Sequence, residues 1–162
     1  MKVTMEHGYP QIIEDADMRK SKTDYYLSIA DAVSRRSTCI RRQYGAVIVK
    51  DDEIISTGYN GAPRGRRNCI DCGECERERL KVPHGERYEL CRSVHAEANA
   101  IISAPRREMI GATMYLSGRE TGEALEHAEC CEMCKRFIIN AGIARVVTAD
   151  GETSVRDWIY EG

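Results

Sequence analysis

From Thr23 onward, apolar positions return at helical spacing. Tyr26, Ile29, Ala30 and Val33 recur at steps of three and four, which places them on one helical face, and Ser21 or Thr23 caps the start. Gly45-Ala46-Val47-Ile48-Val49 then runs without a polar break and reads as a buried strand. Ile54 to Tyr59 reads as its partner, and the polar link Lys50-Asp51-Asp52-Glu53 is short enough to make the two a hairpin. Asn60-Gly61-Ala62-Pro63 is turn chemistry. Residues 64–92 are charged, carry almost no aliphatic periodicity and read as an insertion stapled by metal. A loop of that length inside a domain is usually functional or disordered. The pattern resumes with a helix over about residues 95–104, a strand from Ala112 to Leu116, a helix over about 131–142 and a strand from Arg145 to Ala149. Asn140-Ala141-Gly142 supplies the stop of the second of these helices. Residues 1–20 are weakly patterned and read as an arm or a short helix. The order αββ, insertion, αβαβ predicts an α/β protein. Its expected architecture is a three-layer α/β/α sandwich on a mixed, mostly parallel sheet.

Composition narrows the picture. The 162 residues, 42% hydrophobic and 31% charged, suit a single globular domain over 1–162, with the Cys-rich stretch 64–92 inside it. No apolar run has membrane-spanning length, and the N-terminus lacks a signal-peptide core, so no membrane and a cytoplasmic address are expected. A net charge of −2 argues against a nucleic-acid partner, while a small anionic ligand needs only one or two arginines. The eight cysteines then read as metal ligands more readily than as disulfides, because three of their gaps are C-x-x-C.

His95, Cys131 and Cys134 carry the strongest signal. His95 opens one predicted helix, and Cys131 and Cys134 open another, three residues apart and therefore on one face of its first turn. The helix start favours thiolate over thiol. One imidazole and two thiolates leave the fourth tetrahedral position of a zinc ion free for water, as in a catalytic site. Glu97, two residues from His95, is placed to move protons between that water and a departing amine. His-x-Glu followed by Cys-x-x-Cys is the signature of zinc deaminases. The competing reading is a structural zinc, with Cys130 or a more distant cysteine closing the shell.

The stretch from Cys91 to Ile101, CRSVHAEANAI, resembles the zinc helix of deoxycytidylate (dCMP) deaminases. Gly58 to Pro63, GYNGAP, resembles the loop after their second strand. Ser37 to Val49 resembles their first strand region, and Ile138 to Ile143 the end of their second zinc helix. The match runs in order over about residues 23–149. It implies a cytidine-deaminase-like fold and the hydrolysis of dCMP to dUMP and ammonia, supplying thymidylate synthesis. It further implies that His95, Cys131 and Cys134 hold Zn2+, that Glu97 shuttles protons, that the Ala96 amide touches the pyrimidine and that Asn60 binds the deoxyribose hydroxyl. A homo-oligomer, with a hexamer favoured, activated by dCTP and inhibited by dTTP, belongs to the same resemblance. Two positions depart from the pattern: Cys130 stands where the family has proline, and Thr148 where many relatives have an aromatic.

The remaining candidates rest on residue chemistry alone. Cys69, Cys72, Cys75 and Cys91 suffice for a second, structural zinc, with His84 as an alternative ligand. Cys39 reads as a small buried apolar residue. A monophosphate calls for arginine, and Arg41, Arg42 and Arg119 are the candidates. Gly61 with Arg64, Arg66 and Arg67 could meet a regulatory triphosphate, with Mg2+ sharing its charge. Trp158 and Tyr160 read as packing residues at the core or a subunit interface. Two further functions share these features: a deaminase of tRNA adenosine, guanine or cytidine, and a non-catalytic zinc-binding module.

Overall fold

The structure, a computed structural model, describes residues 3–6, 9–12, 19–120 and 122–158. The first of these form strands β1 (Val3–Glu6) and β2 (Tyr9–Ile12), which pair antiparallel with Val3 opposite Ile12. The expected arm or short helix is therefore replaced, at these positions, by a strand pair. Helix α1 (Lys22–Ser34) is capped by Ser21, whose hydroxyl accepts from the Asp24 N–H at 3.1 Å, and it buries Tyr26, Ala30 and Ser34.

Strands β3 (Arg42–Lys50) and β4 (Glu53–Tyr59) form the expected hairpin. Its two linking residues, Asp51 and Asp52, take φ of 51° and 62°, the left-handed pair that matches the twist of a tight hairpin. The insertion holds two short helices, α2 (Cys69–Cys72) and α3 (Glu76–Arg79), and a 3₁₀ turn at Tyr88–Leu90. Helices α4 (Ala96–Ile102) and α5 (Arg106–Met109) follow, then β5 (Thr113–Glu120), β6 (Glu123–Ala124), α6 (Glu132–Ala141), β7 (Arg145–Thr148) and β8 (Gly151–Ser154). Gly142 ends α6 in the left-handed conformation, at φ 81°, as Asn140-Ala141-Gly142 suggested.

The six-stranded sheet has the order β4-β3-β5-β7-β8, with β6 on β5. It is mixed, as expected, but its parallel part is a single pair, β5 with β7; every other pair is antiparallel. The expectation of a mostly parallel sheet is corrected here. Three of the connections are tight turns, which can join only antiparallel neighbours, and only the α6 crossover returns the chain to run parallel.

The central strands alternate between two covered faces. Val47 and Val49 pack with Tyr26, Ala30 and Tyr115 under α1. Ala46, Ile48, Met114 and Leu116 pack on the other face with Ala96 and Ala100 of α4 and Cys134 and Ile138 of α6. Ile48, Met114, Leu116 and Ile138 are fully buried; each contributes roughly 1.5–3 kcal/mol relative to exposure. These are the three layers. Among the described residues no helix is long and apolar enough to cross a membrane.

Candidate active site

The second covered face brings two helix starts together. Helix α4 lies against β4 at Gly58, where a Cβ would sit 2.3 Å from the Ala100 N and 2.4 Å from the Ala96 carbonyl oxygen. Two hydrogen bonds fix the contact: Ser56 Oγ donates to Ala100 O at 2.7 Å, and Asn99 Nδ2 donates to Tyr59 O at 2.8 Å. This register sets His95 as the N-cap of α4, with Ala96 and Glu97 buried in its first turn. Cys131 is likewise the N-cap of α6, its sulfur accepting from the Cys134 N–H at 3.4 Å.

The sulfurs of Cys131 and Cys134 each lie 3.4 Å from His95 Nδ1, and the three ligand atoms fall within 4.8 Å of one another. Cys130, the other candidate for the register, faces the core instead, close enough to Glu97 to feel its charge. One imidazole nitrogen and two thiol sulfurs at this spacing are a donor set that fits zinc. Among the described residues no other group of three or more such side chains converges.

Electrostatics follow from that convergence. The Cys134 thiol donates to Cys131 and, with His95, holds it down to about 4 against the effect of burial; Cys134 is raised correspondingly. Cys131 and then Cys91 raise His95 to about 10. The thiolate that keeps a proton on His95 would equally favour a divalent cation in its place. Glu97, 4% exposed, is pushed up by burial, with its own backbone N–H and His95 opposing. Cys130 is pushed up by burial and then by Glu97, so it stays a thiol that can donate to that carboxylate.

A cavity of about 760 Å³, part of it open to solvent, reaches His95, Ala96, Glu97 and Cys131. It contains Asn60, Arg41 and Arg42 as expected, and also Tyr44, Arg77, His84, Tyr88 and Glu129. Asn60 is largely committed: Oδ1 accepts from Tyr44 N at 2.8 Å and Ser37 Oγ at 2.6 Å, and Nδ2 donates to Arg42 O at 2.8 Å. Only its second amide proton is left for a sugar hydroxyl. Arg41 is paired with Glu78 at 2.9 Å.

Four expectations are not met. Arg119 does not line the cavity; its guanidinium is taken by Asp31 and the Gly122 carbonyl. Cys69, Cys72, Cys75 and Cys91 do not converge as a ligand set, since Cys91 is turned toward His95 and Cys69 toward Ser93. Gly61 does not open a ligand approach: its N–H and carbonyl pair with Val94, and a Cβ there would meet Thr38 Oγ1 at 2.7 Å. Arg64 is exposed. Cys39 is half-buried and lines the cavity, so it is not a core residue, and Tyr160 lies outside the described residues.

The family model of the cytidine and deoxycytidylate deaminase zinc-binding region matches residues 20–150. The chain belongs to this family. A deoxycytidylate deaminase of a Mycobacterium phage is 41% identical over 128 residues, covering 76% of this chain and 91% of the relative. The Schizosaccharomyces pombe deoxycytidylate deaminase is 34% identical over 131 residues, and the match spans only 37% of its length. The solved apo structure of the dCMP deaminase from the cyanophage S-TIM5 shares the fold, with a TM-score of 0.55 at 24% identity over 81% of this chain and 84% of that one.

Within this family frame, the residues that sequence reasoning missed come from the insertion and the strand before it. Tyr88 stands edge-on to His95, Tyr44 lines the same cavity, and Arg77 stacks on Tyr88. These two tyrosines provide the aromatic wall that Thr148, at the end of β7, does not. A polar insertion without periodicity gives no signal for which of its side chains turn inward.

Proposed function

We propose that the chain hydrolyses dCMP to dUMP and ammonia, using zinc held by His95, Cys131 and Cys134. The observation that carries this is a buried carboxylate, Glu97, in one cavity with a converging imidazole and two thiols. When bound, zinc acts as a Lewis acid that makes water nucleophilic at neutral pH. Glu97 would accept a proton from the attacking water and return one to the departing amine. The Ala96 N–H, at a helix start with no intrahelical acceptor, is free to orient the pyrimidine. Asn60 offers its remaining amide proton to the sugar, and Tyr44 and Tyr88 wall the ring. Arg41 remains a candidate for the phosphate, although Glu78 competes for it.

The names of relatives 41% and 34% identical favour dCMP over another base. The test is ammonia release from dCMP by zinc-loaded protein, beside deoxycytidine, cytidine, guanine and tRNA. No turnover of dCMP, with turnover of another member of that set, overturns the substrate. No turnover of any of them leaves a zinc-binding module.

A homo-oligomer, a hexamer by resemblance, and control by dCTP and dTTP belong to the same reading. The exposed Arg64, with Mg2+ sharing the charge of a triphosphate, is the residue proposed for the effector. A dCMP saturation curve that neither triphosphate moves removes that part.

A further inference from the structure

Arg77 is an unusual side chain for a polar insertion. It is 5% exposed. One terminal nitrogen donates to the Pro83 and Glu86 carbonyls at 2.9 and 2.7 Å, and the guanidinium lies 4.6 Å over the Tyr88 ring centroid. Its Nε is buried and has no hydrogen-bond partner among the described residues, and no ion pair there engages it. A buried guanidinium that meets only carbonyls and a ring keeps most of its desolvation cost. Arg42 lines the same cavity and shares one feature: its Nε is also buried and unpartnered, while its side chain is 35% exposed and a terminal nitrogen pairs with Glu120 at 3.5 Å. Both arginines and Tyr88 line the one cavity. Arg41 and Arg119 hold carboxylates more tightly, at 2.9 and 2.5 Å, and neither has a buried Nε without a partner.

We propose that Arg77, supported by Arg42, forms the subsite that reads the 5′-phosphate of the nucleotide, making the insertion a determinant of nucleotide over nucleoside. The inference rests on the deaminase reading of the same cavity. Arginine suits this task because its N–H groups are fixed in a plane that matches phosphate oxygens. The Tyr88 face and the two carbonyls hold the guanidinium in place before the anion arrives. The phosphate then supplies the missing partner for each Nε.

The test compares zinc-loaded wild type, Arg77→Gln, Arg77→Lys and Arg42→Gln with dCMP and with deoxycytidine. Truncating one partner of a buried charged pair costs enough to expect the ratio of kcat/KM for dCMP to that for deoxycytidine to fall on the order of 30-fold or more in Arg77→Gln. Arg42→Gln should lower the same ratio. Arg77→Lys should recover it only in part, since a point charge cannot replace the planar donors. Parallel losses on both substrates, or an unchanged ratio, overturn the proposal. Because Arg77 also ties down Pro83 and Glu86, Arg42→Gln decides the matter if Arg77→Gln does not fold. Inorganic phosphate provides a second readout, binding wild type and not Arg42→Gln in calorimetry. If phosphate binds in this way and dCMP is not turned over, the deaminase reading fails and the anion subsite stands. If phosphate binds both proteins equally, the subsite fails.

Discussion

Tyr88 stands edge-on to His95, with ring centroids 5.2 Å apart and planes at 85°. This contact ties the insertion to the candidate metal centre, because Tyr88 belongs to the 3₁₀ turn at Tyr88–Leu90 and His95 caps α4. Edge-to-face rings contribute about 0.5–1.5 kcal/mol beyond their burial. Tyr88→Ala should therefore raise KM for dCMP by roughly 2–10-fold. Tyr88→Phe, which keeps the ring, should stay close to wild type. Steady-state kinetics on both variants check this. Equal losses in the two would place the effect on the hydroxyl instead.

Glu97 is buried beside His95 without converging on the ligand set. Glu97→Gln keeps the shape and removes the proton acceptor. Turnover of dCMP should fall by about 10²–10⁴-fold. Metal content, measured on the same sample, should be unchanged. A variant that retains near-normal ammonia release rules Glu97 out as the proton carrier.

The legible part of the site was the part set by local geometry. His95, Glu97, Cys131 and Cys134 sit at helix starts, where spacing alone determines which side chains share a face. Arg77 and Tyr88 depend on the path of an insertion whose short helices α2 and α3 have four residues each, too few to show a period. Asn60 was found by motif, but its commitment to Tyr44 N and Ser37 Oγ is a tertiary fact. The α/β layers were legible from the order of elements. Strand direction was not, because a helix between two strands does not say on which side of the sheet the chain re-enters.

The thiols of the insertion should hold no metal of their own. Cys91 interacts with His95, and only His95, Cys131 and Cys134 converge among the described residues. Metal analysis should find about one zinc per chain, as expected for a single three-ligand centre. Cys131→Ser should lose it and Cys72→Ser should keep it. Two equivalents, one of them lost in Cys72→Ser, would restore a site in the insertion.

Gly58 is the hinge between β4 and the metal centre in a steric sense. A Cβ there would sit 2.3 Å from Ala100 N and 2.4 Å from Ala96 O, both backbone atoms that cannot step aside. Gly58→Ala should push α4 off the sheet, costing about 1–3 kcal/mol or more in denaturant unfolding. It should also lower kcat, since His95 and Glu97 move with the helix. Full stability with full activity would mean that α4 adjusts freely, contrary to the close packing seen here.

Protons and metal should compete at this centre. His95 holds a proton up to about 10, through the Cys131 thiolate first and Cys91 second. Cys131, held down to about 4, is already ionised at neutral pH and has none to give. Cys134 is raised by donating to Cys131, so it too carries a proton that zinc must displace. Binding at neutral pH should therefore release about two protons, one from His95 and one from Cys134. The sign follows directly: both groups already carry their protons in this range, so lowering the pH raises the concentration of the protons that zinc must release and weakens the metal. Apparent affinity should drop by on the order of 100-fold for each pH unit lost between pH 8 and 6.5. Zinc titrations in buffers of differing ionisation enthalpy count the released protons. A pH-independent affinity would show that the imidazole and both thiols are not the ligands.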